Sequence, residues 1–90
     1  MEIEVKKPSR EDLNNLGVRS WPIWEKEVSA FDWFYDEKET CLFLEGDVEI
    51  ELADNSKVKI IKGDLVVFPK GLKCRWNIKK KVKKHYKFGD

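Results

Sequence analysis

The sequence predicts an all-β domain, an antiparallel jelly roll of short strands with one short helix near the N-terminus. From Trp21 onward, apolar and polar residues alternate with a period of two, as in strands that have one wet face. Turn-forming residues recur roughly every 8–12 positions, which favours a sandwich or barrel of seven or more strands. Ninety residues with 41% hydrophobic content suit one packed core, so we expect a single domain over residues 1–90.

The N-terminal part predicts one edge strand and one short helix. Residues 1–5 alternate weakly between apolar and polar side chains, which favours an edge strand. Ser9 is a suitable N-cap, acidic residues follow it in the first turn, and Gly17 fits the C-terminal stop. We therefore predict a short helix between these two residues.

The alternation changes phase at Gly46. Between residues 31 and 43 the inward set falls on odd positions, and after the glycine it moves to even positions. Residues 47–52 and 57–61 flank a cluster of turn-forming residues and predict a hairpin. Residues 65–68 predict a short buried strand, which the following proline ends because proline cannot donate to a ladder.

Composition and charge exclude several function classes. Charged residues make up 39% of the chain, but the net charge is only +1, which argues against nucleic-acid or membrane-surface binding. No apolar run approaches the ~20 residues of a membrane span, and the N-terminus lacks the apolar stretch of a signal peptide. We expect a cytoplasmic protein in which Cys41 and Cys74 are reduced thiols.

Several short motifs together resemble a known family. They are the segments Trp21–Glu25, Phe31–Tyr35, Glu39–Gly46 and Gly63–Gly71, followed by Cys74 and Trp76. In this order they are similar to the motifs of the cupins, and specifically of the small single-domain cupins that resemble the ureidoglycine aminohydrolase cupin domain, the DUF861 type. The resemblance implies a cupin jelly-roll barrel whose inward-facing side chains meet in one cavity, and by analogy a homodimer.

The resemblance also marks where a metal site would lie. Metal-binding cupins hold a divalent ion with three histidines and one glutamate, and only Glu39 is retained here. Glu39 and Cys74 fall short of the three protein ligands that a catalytic metal site normally keeps. We expect no tightly bound metal, with a divalent ion as the alternative. The family's histidine positions are taken by Trp33 and Tyr35 (Asp32 and Phe34 at the longer spacing) and by Cys74.

Glu39 and Cys74 are the candidate catalytic residues. The parity of Glu39 turns its carboxylate inward, where it serves either as an acid/base and ligand hook or as a structural group bonded to Tyr35 or an indole N–H. Cys74 shares an apolar face with Trp76 and is either a nucleophile or ligand contact, or a buried neutral thiol.

The aromatic residues suggest a pocket for an organic ligand. Trp33, Tyr35 and Trp76 surround the motif positions, so we predict that they line the pocket with Glu39 and Cys74. Trp21 and Trp24 are expected to fill the barrel. The lysine-rich stretch 79–84 is interpreted as protection of an edge strand, and His85 is given no catalytic or metal role.

Three functions remain open from the sequence. The first is a module that binds a small polar organic ligand in the barrel without a metal. The second is an enzyme for a small nitrogenous or carbonyl metabolite, with Glu39 as acid/base and Cys74 or an added metal as its partner. The third is a protein-interaction module with a filled barrel.

Overall fold

The computed structural model describes residues 2–89, and this part of the chain forms seven strands, one α-helix and one 3₁₀ turn. The order along the chain is β1 (Glu4–Lys6), α1 (Arg10–Leu16), the 3₁₀ turn (Val18–Ser20), β2 (Ile23–Lys26), β3 (Ser29–Phe34), β4 (Glu39–Leu52), β5 (Lys57–Ile61), β6 (Leu65–Phe68) and β7 (Lys73–Phe88).

Two long strands organise the sheet. β4 and β7 pair antiparallel along almost their whole length. On its other side β7 pairs first with β3 and then with β2, and β4 pairs first with β6 and then with β5. β1 adds to the outer side of β6. Each long strand thus changes neighbour halfway, which lets the sheet fold over and enclose a core.

The sheet bends where β4 passes Gly46. The pairing of β4 with β7 shifts register between Phe43 and Val48, as it does at β-bulges. Gly46 has a φ of 132°, and a Cβ there would lie 3.0 Å from a methyl of Val82. Glycine is required here because the conformation is left-handed and β7 approaches closely. The bulges account for the predicted change of phase at this glycine.

The main core lies between the two halves of the bent sheet. It is built mainly from alternate residues of β4 and β7, as period-two strands bury one face, with further residues from β5, β6 and the segments before β4 and β7. A smaller cluster forms around Val18 beneath the helix. The fully buried members of the main core include Cys41, Val48, Ile50, Ile60, Val66, Phe68 and Val82.

Most local predictions are confirmed, and one about the lysine-rich stretch is wrong. The predicted hairpin forms between β4 and β5, and Ser9 closes a capping box with Asp12. Gly17 ends the helix in the left-handed conformation. The stretch 79–84 does not guard an edge, because β7 has neighbours on both sides. Residue 1 of the predicted first strand lies outside the described residues. No helix between residues 2 and 89 has the length and apolar character to cross a membrane.

Candidate functional site

A cavity of about 700 Å³ opens beside the aromatic part of the core, against β2, β3, β4 and β7. Its walls are mostly aromatic and its rim carries a few charged side chains. Two buried charged residues, Glu39 and Lys84, complete the lining. The aromatic lining residues are Trp24, Phe31, Trp33, Tyr35, Trp76, Tyr86 and Phe88.

Glu39 and Lys84 form a buried ion pair, called here the floor pair. The Lys84 Nζ donates to both carboxylate oxygens of Glu39, at 3.1 Å each. The Glu39 side chain is only 6% exposed and that of Lys84 only 4%. A charge so far from water is expensive unless it is paired, so each residue depends on the other.

The strand register explains how the two residues meet. Glu39 begins β4 opposite Phe88, and Lys84 lies on β7 opposite Phe43. The two residues are therefore four positions apart along adjacent strands, on the same face of the sheet. Four residues of strand exceed the reach of a lysine side chain alone, so the curvature of the sheet brings the two inward positions together and the long side chain covers the rest.

Aromatic rings surround the Lys84 ammonium. Its Nζ lies 4.9 Å from the ring centroid of Trp24 and 5.0 Å from that of Trp76. Phe43 and Phe68 lie farther away, at 5.8 Å and 6.0 Å. Cation–π attraction to these rings adds to the attraction of the carboxylate and replaces part of the lost hydration.

Tyr35 joins the two motif segments and lines the cavity. Its N–H donates to the carbonyl of Leu72 at 2.9 Å, and its own carbonyl accepts from the N–H of Gly71. Its ring stacks on Phe68 at 4.8 Å. Burial first, and then the neighbouring Glu39, raise the pKa of the Tyr35 hydroxyl far above its ordinary value. The hydroxyl therefore stays protonated and able to donate.

Trp76 lies deep in the cavity, whereas Trp33 lies at its mouth. Trp76 is buried, with Phe31 stacked on it at 5.9 Å and Trp24 meeting it edge-on at the same distance. Trp33 is 49% exposed and meets Tyr35 edge-on at 6.4 Å. An incoming molecule would contact Trp33 at the mouth before it reached the deeper rings.

Cys74 does not line this cavity. It is 8% exposed and borders a second, shallower depression together with Trp33 and Arg75. Burial raises the pKa of the Cys74 thiol to about 11, and a hydrogen bond with Trp76 offsets only part of that effect. A thiol that stays protonated at neutral pH is a weak nucleophile, so the surroundings favour a packing role.

Cys41 is also a core residue. It is fully buried, and burial raises its pKa to about 12 despite the nearby ammonium of Lys84. The thiol lies 3.8 Å from the carbonyl oxygen of Val66 and can donate a weak hydrogen bond to it. Both cysteines are free thiols in the structure.

Four of the five predicted pocket residues line the cavity, and Lys84 and Trp24 are the most important of the lining residues that the sequence interpretation missed. Trp33, Tyr35, Glu39 and Trp76 are found there as expected. Lys84 was counted among the surface lysines, although its even parity, shared with Val82 and Tyr86, places it on the inner face. Trp24 was expected to fill the barrel, but in the structure it lines the cavity.

The polar partners of the remaining candidates are now defined. Glu39 is held by Lys84, and not by Tyr35 or an indole as the structural alternative suggested. His85 lies outside the cavity lining, and its Nδ1 is 2.9 Å from the carbonyl oxygen of Trp21. That contact links β7 to the residue that follows the 3₁₀ turn.

The residues at the cupin metal positions do not fit a metal centre. Both oxygens of Glu39 are engaged by an ammonium, which already supplies a positive charge at this carboxylate. Trp33 and Tyr35 offer no ligand nitrogen, and the Cys74 thiol is held in its protonated form. Across residues 2–89, no three His, Cys, Asp or Glu side chains come close enough to bind one ion.

The fold and cavity together define a small β-barrel domain with an internal site. The chain belongs to the cupins: the model of the EutQ-like cupin domain family matches residues 13–86. This confirms the predicted resemblance and the cupin jelly-roll fold. A sequence comparison with curated proteins gives no match.

Solved structures agree with this assignment. A DUF861 family protein from Thermotoga maritima is 56% identical with a TM-score of 0.95, over 97% of this chain and 99% of that one. The EutQ protein of Clostridium difficile is 25% identical with a TM-score of 0.68, over 74% of this chain and 52% of that one. A putative ethanolamine utilization protein Q from Salmonella typhimurium is similar in fold, at 19% identity and a TM-score of 0.67 over 74% of this chain and 54% of that one. The chain thus spans about half of the two longer proteins.

Proposed function

We propose that this cupin domain binds a small polar organic molecule in its cavity without a metal ion. The observation that carries the proposal is an open aromatic cavity whose buried polar groups are the carboxylate of Glu39 and the ammonium of Lys84. Ligand sites in proteins typically combine apolar walls with a few well-placed polar groups.

The chemistry of the cavity indicates the kind of ligand. The floor pair presents a hydrogen-bond acceptor and a donor side by side, so it suits a ligand that carries both kinds of group. The indole of Trp24 and the ring of Phe31 favour flat or apolar ligand surfaces. A neutral molecule is preferred, because the two buried charges already compensate each other.

The cavity also bears on the alternatives. A protein-interaction module with a filled barrel would leave no space of about 700 Å³ among these side chains. An enzyme remains the second candidate, because Glu39 now has an ionisable partner, Lys84, within hydrogen-bond distance. The homodimer and the cytoplasmic location stay predictions from the sequence.

Tryptophan fluorescence can test the binding proposal directly. Trp24 lines the cavity, whereas Trp21 packs on the smaller cluster beside Val18 and does not. We expect a ligand from a panel of small neutral amides, alcohols and carbonyl compounds to change the emission. The change should be smaller in Trp24→Phe and unaltered in Trp21→Phe. At a concentration of ~100 Kd the ligand should stabilise the fold by about 2.7 kcal/mol in urea unfolding.

Two results would contradict the proposal. One is a panel that changes neither emission nor stability. The other is stoichiometric metal in protein purified without an affinity tag and lost in Glu39→Gln, measured by elemental analysis. We expect instead that ligand binding is unaffected by a chelator.

A further inference from the structure

We propose that Lys84 is a carbonyl-reactive amine, and that the cavity takes up small aldehydes or ketones and holds them as a reversible imine on the Lys84 Nζ. The inference rests on the proposed function, because it assigns the chemical class of ligand to the same cavity. It concerns a residue outside the cupin metal positions, and it adds a covalent step that binding alone does not require.

The placement of Lys84 is unlike that of the other lysines. In the described part of the chain no other lysine is buried, and Lys84 lines the cavity, whereas the other lysines of its stretch on β7 are exposed or only partly buried and do not line it. A lysine within an apolar pocket is a recurrent arrangement for nucleophilic attack on carbonyl groups. Trp24 and Trp76 flank the nitrogen without blocking the cavity.

Glu39 supplies the proton acceptor that such a reaction needs. An ammonium cannot attack a carbonyl carbon, since its nitrogen has no free electron pair. Transfer of one proton from Lys84 Nζ to a Glu39 oxygen across the 3.1 Å hydrogen bond leaves a neutral amine and a neutral acid. The transfer removes two buried charges together, so it needs no solvent to stabilise a separated ion.

The reaction then balances within the cavity. The amine electron pair forms a C–N bond to the carbonyl carbon, and the C=O π bond breaks as its oxygen takes the proton from Glu39. The second N–H proton leaves through Glu39 to the hydroxyl, which departs as water, and a C=N bond forms. In sum, ammonium and carbonyl compound give a protonated imine and one water, and Glu39 is again a carboxylate.

The surroundings favour this product as well as the starting ammonium. The protonated imine carries its positive charge at the same nitrogen, beside the carboxylate of Glu39 and the faces of Trp24 and Trp76. Forming the imine therefore adds no unpaired charge to the interior. The carbon that is gained is apolar and lies against aromatic walls.

The experiment compares benzaldehyde with benzyl alcohol, which have the same flat ring but differ in the carbonyl group. The full-length protein is incubated with benzaldehyde and sodium cyanoborohydride, and peptide mass mapping gives the labelling rate of each lysine. We expect Lys84 to be labelled about tenfold or more faster than the exposed Lys59 and Lys80, despite its burial. Equal or slower labelling of Lys84 would overturn the inference.

Reversible binding without the reductant separates this inference from the proposed function. Tryptophan fluorescence should show benzaldehyde binding about tenfold or more tightly than benzyl alcohol. Lys84→Arg keeps a cation for Glu39 but cannot form an imine, so its preference for the aldehyde should disappear; urea unfolding confirms that it is folded. Equal binding of aldehyde and alcohol by the wild type, with no preferred labelling, would refute the imine and leave the binding site intact. Failure of both probes to bind would count against both proposals.

Discussion

At the scale of single residues, the Glu39–Lys84 pair determines the character of the interior. Both side chains are nearly inaccessible, and the ammonium has aromatic rings as its other neighbours. Pairing offsets the cost of burying each charge but does not make the pair a large source of stability. The informative quantity is therefore the coupling free energy between the two residues, which is the difference between the stability loss of the double variant and the summed losses of the single variants.

Single replacements of the pair should destabilise the fold unequally. Lys84→Met leaves a buried carboxylate without a partner and should lower the free energy of unfolding by about 3–5 kcal/mol. Glu39→Gln should cost less, because cation–π attraction worth about 1–2 kcal/mol still acts on the ammonium. Urea unfolding measures both.

The double variant provides the decisive comparison. Glu39→Gln with Lys84→Met removes both charges and should be more stable than the sum of the single losses predicts, by about 0.5–3 kcal/mol. Lys80→Met, at an exposed position of the same strand, should change stability by no more than about 0.5 kcal/mol. Strict additivity would show that the two buried residues are not coupled.

The sequence predicted the carboxylate better than its partner. The inward turn of Glu39 followed from parity, because it shares odd positions with Tyr35, Cys41 and Phe43. Lys84 shares its parity with Val82 and Tyr86, but its neighbours in sequence are also lysines, and a lysine is rarely buried. Which lysine turns inward depends on the bulges between β4 and β7, and a single sequence does not reveal their positions.

At the scale of elements, the bend of β4 at Gly46 is where its pairing with β7 shifts register. Gly46 combines a left-handed conformation with close approach of Val82, whereas Gly63 has a left-handed conformation with open space around it. Substitution of Gly63 therefore measures the effect of backbone strain alone, whereas substitution of Gly46 measures strain together with steric contact. Turn signals and alternation predicted the strands on either side, since these are local properties of the chain.

Alanine substitution should distinguish the two glycines. Gly63→Ala meets only the strain of a positive φ and should cost about 1 kcal/mol. Gly46→Ala adds contacts of 3.0 Å and 3.3 Å with Val82 and should cost clearly more, about 2–4 kcal/mol. Thermal or urea unfolding of the two variants provides the measurement. Equal losses would mean that β7 gives way at the bend.

At the scale of the whole molecule, burial in the core holds the Cys41 thiol in its neutral form. The Cys41 thiol lies in the main cluster, and burial raises its pKa from 9.0 to about 12. Between these two values the unfolded chain loses the thiol proton and the native chain keeps it. The native state then binds more protons, so stability falls as pH rises, by about 1.4 kcal/mol per pH unit for this group.

Cys41→Ala removes that group and should flatten the alkaline side of the stability profile. Urea unfolding from pH 8 to pH 10.5 should show a wild-type slope that is steeper than the variant's by about 0.7 kcal/mol per pH unit at pH 9, rising towards about 1.4 kcal/mol per pH unit above pH 10. The variant should be less stable near neutral pH because it loses packing. Parallel profiles would show that the thiol ionises as readily in the native protein as in the unfolded chain.

The fold could be predicted from the sequence, whereas the residues that line the cavity could be predicted only in part. Period-two alternation, the turn clusters and the resemblance to cupins together gave the all-β barrel, which the family match confirms. The absence of histidines from the motif positions indicated a cavity lined by other groups. The diagonal contact across two strands that fills the centre is a product of long-range register, which local patterns do not encode.

The alternation of side chains along β7 limits which mutations this protein can tolerate during evolution. Trp76 and Lys84 stand on one strand, eight positions apart, and both face the cavity. Loss or gain of one amino acid between them would turn the lysine outward and leave Glu39 without its counterion. Substitutions can therefore change single lining residues of the cavity, whereas an insertion or deletion within β7 would disrupt the whole lining at once.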